Sequence, residues 1–553
     1  MAVPPKAKTA HVNMMTDTII GNLPLDGLRV VMRSLLSAQP SLTPIFEEQT
    51  RTYIHDSAFK CENLVVLTEQ ADGFFTTTEQ FQPLRSRICC MVGCGLCYQA
   101  LELLRGIVNQ AAQVKLEKAE DGLMKAVAAV DGDIVQALTA IQKTLLSPDG
   151  VRKLTDDEAR PIEELYQSLV ECRGLWEEKG QAFGFERGLD ATASLLDPST
   201  KSSKTAARER LPFELPPSTP SETFTLNGVA LTRIFTGLWQ LSSPAWGSAS
   251  RSKIMDRFSD YVHRGFTAFD MADHYGDAEI IFGRYRASSA YSDAMFAATK
   301  YCIFHPMTMT EEAVRANITE RCRRLNTDKL DLLQFHWQDY NDPQYIQALH
   351  YLQSDPRVSN LGLCNFDTEH MQNVLDAGIK IATNQVQFSL IDTRPINMML
   401  PLAKTHGIKL LTYGTLCGGL LSEKYLNRPP PDLYSPDTTP SIRKYYAMIR
   451  VWGGWELFQE LLSVLKVIGE KHGVSISNVA ARWVLDFEGV GAVIVGWRGA
   501  KAEGKGADVG EGSLGALVYR LDEKDRGMIE GVLERSNRQE IFGSMGDCGG
   551  EYR

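Results

Sequence analysis

Short apolar runs alternate with amphipathic stretches along the second half of the chain. The amphipathic stretches have helical spacing, as in Lys253–His263, Glu311–Leu325, Tyr345–Gln353 and Thr368–Ala377. Strands that alternate with helices form parallel α/β folds, and eight of them fit a (β/α)8 TIM barrel. The eight predicted strands are Leu231–Leu241, Ala268–Asp273, Met295–Lys300, Leu330–His336, Asn360–Cys364, Thr383–Phe388, Ile408–Tyr413 and Ala492–Val495.

The first 195 residues have a different pattern, which predicts a mainly α-helical domain. Apolar residues recur at helical spacing in Leu25–Leu36, Leu96–Ala111, Asp121–Leu145 and Glu158–Glu178. Only Asn63–Leu67 and a neighbouring segment indicate extended structure. No motif with evident chemistry lies in this part, so no function is predicted for it.

A segment rich in Pro, Ser, Thr and Lys separates the two patterns. Proline fixes φ and removes a backbone donor, and the polar side chains offer little to bury. We therefore predict a helical domain at 1–195, a linker at 196–223 and a barrel at 224–553.

Composition and charge narrow the functional classes. The chain has 553 residues, of which 44% are hydrophobic, and a formal net charge of −10, which gives no electrostatic support for binding nucleic acid. The eleven cysteines form no paired framework, as expected in a reducing compartment. The N-terminus has no apolar signal core, and Ile88–Leu104 is too short and polar to span a bilayer, so a cytoplasmic location is predicted.

Four side chains of complementary chemistry lie at or just after predicted strands: Asp270, Tyr275, Lys300 and His336. A phenol has an ordinary pKa of about 10 and is a poor acid at neutral pH. A neighbouring lysine would lower that pKa, and an aspartate would hold the lysine charged and in place. An aspartate at a strand end is by itself more often a capping or ion-pair residue. The combination, however, suits proton donation to a carbonyl oxygen.

These positions resemble the catalytic tetrad of the aldo-keto reductases, over about residues 226–537. The stretches Phe269–Gly276, Phe296–Tyr301 and Leu332–Trp337 carry the tetrad, and Thr232–Gln240, Thr383–Phe388 and Leu410–Gly419 match further strands of that family. The resemblance implies that Tyr275 donates the proton, that Asp270 orients Lys300, and that His336 orients the carbonyl. It also implies a nicotinamide cofactor, NADP(H), and no catalytic metal.

The resemblance further implies a set of cofactor-binding residues. Asn365 and Gln385 match contacts to the nicotinamide carboxamide, and Cys364 stands where the family usually has serine, a stronger hydrogen-bond donor. Tyr413 matches the aromatic residue that stacks under the nicotinamide ring. The remaining candidates are backbone or phosphate contacts at Gly414, Leu416, Gly418 and Arg498.

The segment after the eighth predicted strand departs from the family pattern. It has five glycines between 499 and 512, so its helix propensity is poor. Lys501 or Lys505 could reach a 2′-phosphate, although a solvated flexible loop is the alternative. Because Arg498 can bind phosphate with two N–H groups, NADPH is predicted over NADH.

A cluster of four cysteines, Cys89, Cys90, Cys94 and Cys97, invites comparison with a zinc site. Zinc sites usually place ligand pairs on loops, often with histidine. These four lie in a largely apolar, helical-looking run without histidine, so packing in the core is predicted rather than metal binding.

Two functions remain open from the sequence. The first is reduction of an aldehyde or ketone. The loops that carry Trp246, Trp337 and Tyr340, together with the insertion 427–451, predict an aromatic pocket. Such a pocket favours a bulky or hydrophobic substrate, and a role in secondary metabolism is predicted. The second is a cofactor-binding regulatory role like that of the potassium-channel β subunits, with a protein partner bound through the helical domain. A complete tetrad favours the enzyme.

Overall fold

The structure is a computed structural model of the 553-residue chain. It describes residues 18–20, 22–56, 65–69, 75–114, 121–147, 150–197, 222–242, 251–304, 307–433, 435, 438–496 and 514–552. Most of the predicted linker, residues 198–221, therefore lies outside the described residues.

The first two strand pairs are short and antiparallel, and both lie in the helical part. The strands are β1 (Leu67–Glu69), β2 (Phe75–Thr77), β3 (Leu146–Ser147) and β4 (Gly150–Val151). Residues 57–64 are not described, so the predicted extended segment is represented only from residue 65 onward. The β3–β4 pair was not predicted.

A β-hairpin precedes the barrel. Its strands β5 (Thr223–Leu226) and β6 (Val229–Thr232) are antiparallel, and its turn residues Asn227 and Gly228 both have positive φ, 44° and 86°. The Phe224 ring packs on Phe235 with a centroid distance of 6.2 Å. It also lies so close to the barrel wall that a Cβ at Gly491 would be 2.9 Å from it. The hairpin therefore fills the amino end of the barrel.

Eight parallel strands form a closed barrel, which confirms the predicted fold class. Continuous apolar runs produce these strands because parallel strands are buried on both faces. The order around the barrel follows the chain, and the last strand pairs with the first. The strands are β7 (Ile234–Gly237), β8 (Ala268–Asp270), β9 (Phe296–Ile303), β10 (Leu332–Trp337), β11 (Leu361–Cys364), β12 (Thr383–Gln387), β13 (Lys409–Tyr413) and β14 (Val490–Gly496).

The helical part is confirmed as mainly α-helical. A buried core that includes Ile88, Leu104, Ile134, Leu165 and Trp176 holds its helices together. They are α1 (Leu25–Ala38), α2 (Thr43–Asp56), α3 (Phe81–Gly93), α4 (Cys97–Ala112), α5 (Asp121–Thr144), α6 (Asp156–Glu178) and α7 (Glu186–Leu196).

Further helices surround the barrel. Four of them match the predicted ones to within two residues at each end. They are α8 (Arg251–His263), α9 (Ala278–Ser288), α10 (Glu311–Arg324), α11 (Gln344–Ser354), α12 (Thr368–Asp376), α13 (Arg394–Asn397), α14 (Met399–Thr405), α15 (Pro440–Trp452), α16 (Gly454–His472), α17 (Ile476–Leu485), α18 (Glu523–Leu533) and α19 (Arg538–Met545).

The cysteine-rich run is not one helix, in contrast to the prediction. It breaks between α3 and α4, where Gly95 has a φ of 88°, a left-handed conformation that most residues avoid. Cys94 and Cys97 are buried as predicted, but Cys89 and Cys90 are exposed on α3. Core packing therefore accounts for only two of the four cysteines. Within the described ranges, no helix has the length and apolarity that crossing a membrane requires.

Candidate active site

Three members of the predicted tetrad come from adjacent barrel strands. Asp270 is the last residue of β8, and Lys300 and His336 lie in β9 and β10, where His336 pairs in register with Cys302. The Lys300 Nζ donates hydrogen bonds to Asp270 Oδ2 (2.6 Å) and to the Met271 carbonyl oxygen (2.9 Å). It also lies 5.1 Å from the centre of the Tyr275 ring. The structure thus brings the predicted residues together at the carboxyl end of the barrel, where TIM-barrel active sites lie.

Burial dominates the acid–base properties of this group. Burial raises the pKa of Tyr275 above its ordinary value, while Lys300 opposes that rise. Burial alone would lower the pKa of Lys300, but the Asp270 carboxylate raises it. The sequence predicts a Tyr275 pKa lowered by the lysine. In the structure the Tyr275 pKa is raised overall, because the effect of desolvation is larger than that of the Lys300 charge. Tyr275 therefore holds its proton firmly at neutral pH.

Two buried glutamines complete the surroundings of Asp270. Its Oδ1 accepts hydrogen bonds from Gln334 Nε2 (3.0 Å) and Gln385 Nε2 (2.7 Å), and Gln385 Nε2 also donates to Gln334 Oε1 (2.9 Å). Sequence reasoning missed Gln334. Alternation along the strand could have found it, since Gln334 lies two residues before His336 and therefore on the same face of β10.

The predicted carboxamide-binding residues lie at the end of β11, directly after it, and on β12. Cys364 pairs in register with Gln385, and Asn365 has a left-handed φ of 59°. The backbone N–H of Asn365 donates to the Gln385 carbonyl oxygen (2.8 Å). The Gln385 amide nitrogen is directed at Asp270 and Gln334, so this side chain would meet a ligand through its oxygen.

Tyr413 ends β13 beside these residues. Its hydroxyl donates to Asn365 Oδ1 (2.8 Å), which holds the ring and the amide together. The next residue, Gly414, has a φ of 71°, and a Cβ there would lie 2.2 Å from Tyr445 Oη. Only glycine fits this close approach.

The loop after β13 is folded back on itself. The Cys417 N–H donates to the Gly414 carbonyl oxygen (2.9 Å), and the Gly419 N–H donates to that of Leu416 (2.8 Å). Gly418 has a φ of 66° and lies under Ser441 of α15. The predicted insertion 427–451 thus contains most of a helix that covers this loop.

A segment near the C-terminus contributes two residues that the sequence analysis missed. The Tyr552 ring packs edge-on against His336 (5.4 Å between centroids), and its hydroxyl lies 3.3 Å from that of Tyr413. Glu551 forms an ion pair with Arg394 (3.0 Å). No local pattern signals this contact, because it joins residues that are distant along the chain.

Two of the predicted pocket aromatics, Trp337 and Tyr340, are engaged with neighbouring side chains. The Trp337 side chain is buried, stacks on Phe335 (5.9 Å), and donates its indole N–H to the Asp339 carbonyl oxygen (2.6 Å). Tyr340 stacks on His370 of α12 (3.6 Å). His336 faces the barrel interior, so its strand neighbour Trp337 faces outward.

Phe304 supplies an aromatic wall together with Tyr552. Its ring contacts those of His336 (5.7 Å) and His274 (5.0 Å). Two aromatic rings that the sequence analysis did not name, Phe304 and Tyr552, therefore lie against His336. Trp246, Arg498, Lys501 and Lys505 lie outside the described residues.

One group of side chains in the described ranges has metal-ligand composition: Asp273, His274 and Cys302. The Asp273 carboxylate already accepts the Cys302 backbone N–H (3.1 Å) and lies 3.9 Å from Lys143 Nζ. Burial raises the pKa of the Cys302 thiol well above its ordinary value, which disfavours the thiolate form that binds metals. This group is a hydrogen-bonded ion-pair network.

Comparison with known proteins finds relatives and solved structures that resemble this chain over about half of its length or less. The chain is 28% identical over 325 residues to the aldo-keto reductase YhdN of Bacillus subtilis, a match that spans 56% of this chain and 92% of that protein. It is 33% identical over 179 residues to flagellar radial spoke protein 5 of Chlamydomonas reinhardtii, which covers 29% and 34% of the two chains. The crystal structure of a glycerol dehydrogenase from Gluconobacter oxydans matches with a TM-score of 0.45 and 23% identity, over 57% of this chain and 96% of that one.

The model of the aldo/keto reductase family matches residues 233–533, which is more than half of the chain. The family predicted from the sequence is thereby confirmed. The chain belongs to the aldo/keto reductase family.

Proposed function

We propose that the protein reduces an aldehyde or ketone to an alcohol, with NADPH as the reductant and Tyr275 as the proton donor. The observation that carries this proposal is the buried Asp270–Lys300 pair beside Tyr275, with a Lys300 Nζ to Asp270 Oδ2 distance of 2.6 Å. A fixed positive charge next to a protonated phenol is the arrangement that proton donation to a developing oxyanion requires.

Three tetrad residues act on the substrate or on charge in this mechanism, while Asp270 holds Lys300 in place. Bound NADPH would supply a hydride to the carbonyl carbon. As negative charge develops on the carbonyl oxygen, the Tyr275 hydroxyl donates its proton to that oxygen, and Lys300 stabilises the resulting phenolate. His336, which is buried beside Phe304 and Tyr552, orients the carbonyl. These interactions strengthen in the transition state, so they accelerate the chemical step.

The residues at the mouth of the barrel fit a nicotinamide. The Tyr413 ring offers a flat apolar face, and the Asn365 amide offers both a donor and an acceptor, as a carboxamide requires. A hydrogen bond of 2.8 Å from the Tyr413 hydroxyl to Asn365 Oδ1 holds the ring and the amide in a fixed relative position. Cys364 and Gln385, which pair in register on β11 and β12, would add further side-chain contacts. The turn at Gly414, Leu416 and Gly418 would lie next to the pyrophosphate.

The decisive experiment measures oxidation of NADPH by the full-length protein with a panel of aromatic aldehydes, apolar ketones and charged carbonyl compounds. We expect turnover with the aromatic and apolar members. Tyr275→Phe should lower kcat by roughly 10²–10⁴-fold, since it removes general acid catalysis, while the Kd for NADPH stays near the wild-type value. A wild-type protein without turnover on any member, or a Phe variant with wild-type kcat, would reject the proposal.

The preference for NADPH over NADH rests on the sequence around Arg498. A guanidinium can bind a 2′-phosphate with two N–H groups, and Lys501 and Lys505 add positive charge nearby. We expect Arg498→Ala to weaken NADPH binding much more than NADH binding in parallel titrations. Equal losses for both cofactors, or a wild-type protein that prefers NADH, would contradict this preference.

Aromatic walls support a bulky or hydrophobic substrate. Phe304 and Tyr552 both contact the His336 ring, which would orient the carbonyl. Substrates with an apolar group beside the carbonyl should therefore have the lower KM. The cytoplasmic location, the place in secondary metabolism and a protein partner of the helical part stay predictions from the sequence.

A binding role without turnover is the second candidate function. It is favoured by the match to a protein named as a flagellar radial spoke component, which is 33% identical over 179 residues. The complete tetrad argues for the enzyme, because binding alone needs no proton donor. NADPH binding by a wild-type protein that turns over no carbonyl compound would favour this second role.

A further inference from the structure

The loop that carries Tyr275 is held by the helical part of the chain. Asp277 occupies the N-cap position of α9, yet its carboxylate makes no cap hydrogen bond to that helix. It instead accepts two hydrogen bonds from Arg187, from Nε to Oδ2 (2.8 Å) and from Nη2 to Oδ1 (2.6 Å). Only 6% and 5% of the two side chains are exposed. Such a bidentate pair fixes both distance and orientation.

Arg187 is itself fixed to the core of the helical part. The buried Asp131 of α5 accepts the backbone N–H groups of Gly188 (2.6 Å) and Arg187 (3.4 Å), both in the first turn of α7. This turn is therefore held on α5 while the Arg187 side chain reaches the barrel. The Asp277 carboxylate is in effect anchored to helix α5.

A second contact acts on the other end of the same loop. Lys143, near the end of α5, places its Nζ 3.9 Å from Asp273 Oδ1 and 5.0 Å from the centre of the Phe304 ring. Between the two ends, a Cβ at Gly276 would lie 3.4 Å from Val135 of α5, so α5 packs directly behind the residue that follows Tyr275.

We propose that the helical part belongs to the catalytic unit, with Arg187 and Lys143 as positioning residues that hold Asp273–Asp277, and therefore Tyr275, in place beside Lys300 and His336. This inference rests on the proposed function, because it assigns Tyr275 the proton transfer. It gives the helical part a role inside the active site of its own chain.

The proposal predicts that substitutions at Arg187 and Lys143 lower kcat but leave cofactor binding almost unchanged. The candidate cofactor-binding residues that the structure describes lie on β11–β13 and the turns that follow, and neither Arg187 nor Lys143 is hydrogen-bonded to them. Loss of loop positioning should thus lower kcat by roughly 10- to 100-fold, since a displacement of about 1 Å at a reacting group can cost that much. The Kd for NADPH should change less than about twofold by the same reasoning.

The test compares four variants of the full-length protein. Lys143→Met removes the charge at Asp273, and Lys143→Arg keeps it. Arg187→Met combined with Asp277→Asn removes both partners of the buried pair, so that neither charge is left unpaired in the interface. Lys125→Met is the matched control, because Lys125 is exposed on the same helix about 27 Å away, from eighteen residues at a rise of ~1.5 Å each.

Two readouts are needed: kcat with the Kd for NADPH, and hydrogen–deuterium exchange of the peptide that spans 271–283. We expect Lys143→Met and the Arg187/Asp277 variant to lower kcat and to speed exchange in this peptide. Lys143→Arg should retain most of the activity, and Lys125→Met should behave as wild type.

The outcomes distinguish this inference from the proposed function. Unchanged exchange in the 271–283 peptide would overturn the inference whatever the activity, and so would faster exchange with wild-type kcat. A wild-type protein that turns over no carbonyl compound would reject the proposed function first, and with it the catalytic part of this inference.

Discussion

Replacement of Lys300 by methionine should separate the stabilising role of this lysine from its catalytic role. The side chains of Lys300 and Asp270 are 3% and 4% exposed, so the change leaves a buried carboxylate whose remaining side-chain donors, in the part of the chain that the structure describes, are the amides of Gln334 and Gln385. Breaking a buried pair by removal of one partner costs about 3–5 kcal/mol. For the roughly 300 residues of the barrel the entropy of unfolding is ~0.6 kcal/mol/K, so the thermal midpoint should fall by about 5–8 °C.

The pH dependence of kcat should change in a defined direction. A general acid is active while protonated, so the rate falls as the pH rises through its pKa. Lys300 lowers the pKa of Tyr275 against the larger effect of burial. Its loss should move the alkaline decline of kcat to still higher pH and lower kcat itself.

The assay combines thermal unfolding with pH–rate profiles for wild type, Lys300→Met and Lys300→Met/Asp270→Asn. The double variant contains neither charge and should regain most of the lost thermal stability, but it should stay inactive, since Tyr275 still lacks its cationic neighbour. A Lys300→Met protein as stable as wild type, or a double variant with restored kcat, would refute the reasoning.

Three further predictions concern the surroundings of the tetrad. Gly414→Ala places a Cβ 2.2 Å from Tyr445 Oη at a φ of 71°, so NADPH binding in a fluorescence titration should weaken about tenfold; a wild-type Kd would contradict this. Burial raises the pKa of Asp131 from 3.8 to about 7, so the stability that the protonated carboxyl contributes is fully present below pH 3.8 and is lost as the pH rises towards 7. Asp131→Asn should therefore make the thermal midpoint depend less on pH between these two values. Tyr552→Leu should raise KM for aromatic carbonyl compounds more than it lowers kcat, and the reverse split would show that Tyr552 acts on the chemical step.

The barrel could be predicted from the sequence because its strands are buried on both faces. This burial turns each strand into a continuous apolar run, and the predicted set matches β7 to β14. The candidate tetrad residues could be expected to lie together for a related reason, since polar residues at the ends of such runs gather at one end of a parallel barrel. The first predicted run, Leu231–Leu241, merged β6 with β7, because the turn between the two strands interrupts the apolar pattern too briefly.

The remaining features depend on contacts between distant parts of the chain. Tyr552 contacts His336, and Arg187 contacts Asp277, yet no local spacing encodes either pair. The direction of the Tyr275 pKa shift could not be predicted from the sequence either, because it depends on how completely the fold excludes water from the phenol. Local patterns specify elements, whereas burial and long-range pairing decide how their side chains behave.

The hairpin around Phe224 has a practical consequence for protein engineering. It closes the amino end of the barrel with side chains such as Phe235 and Phe296, while the tetrad lies at the carboxyl end. Substitutions at sites that share no partners usually have additive effects. Under the proposed function, substrate scope depends on Phe304 and Tyr552, so repacking the amino end should improve thermal tolerance without changing that scope. A biocatalyst made from this chain could be optimised for the two properties in separate libraries and the gains then combined.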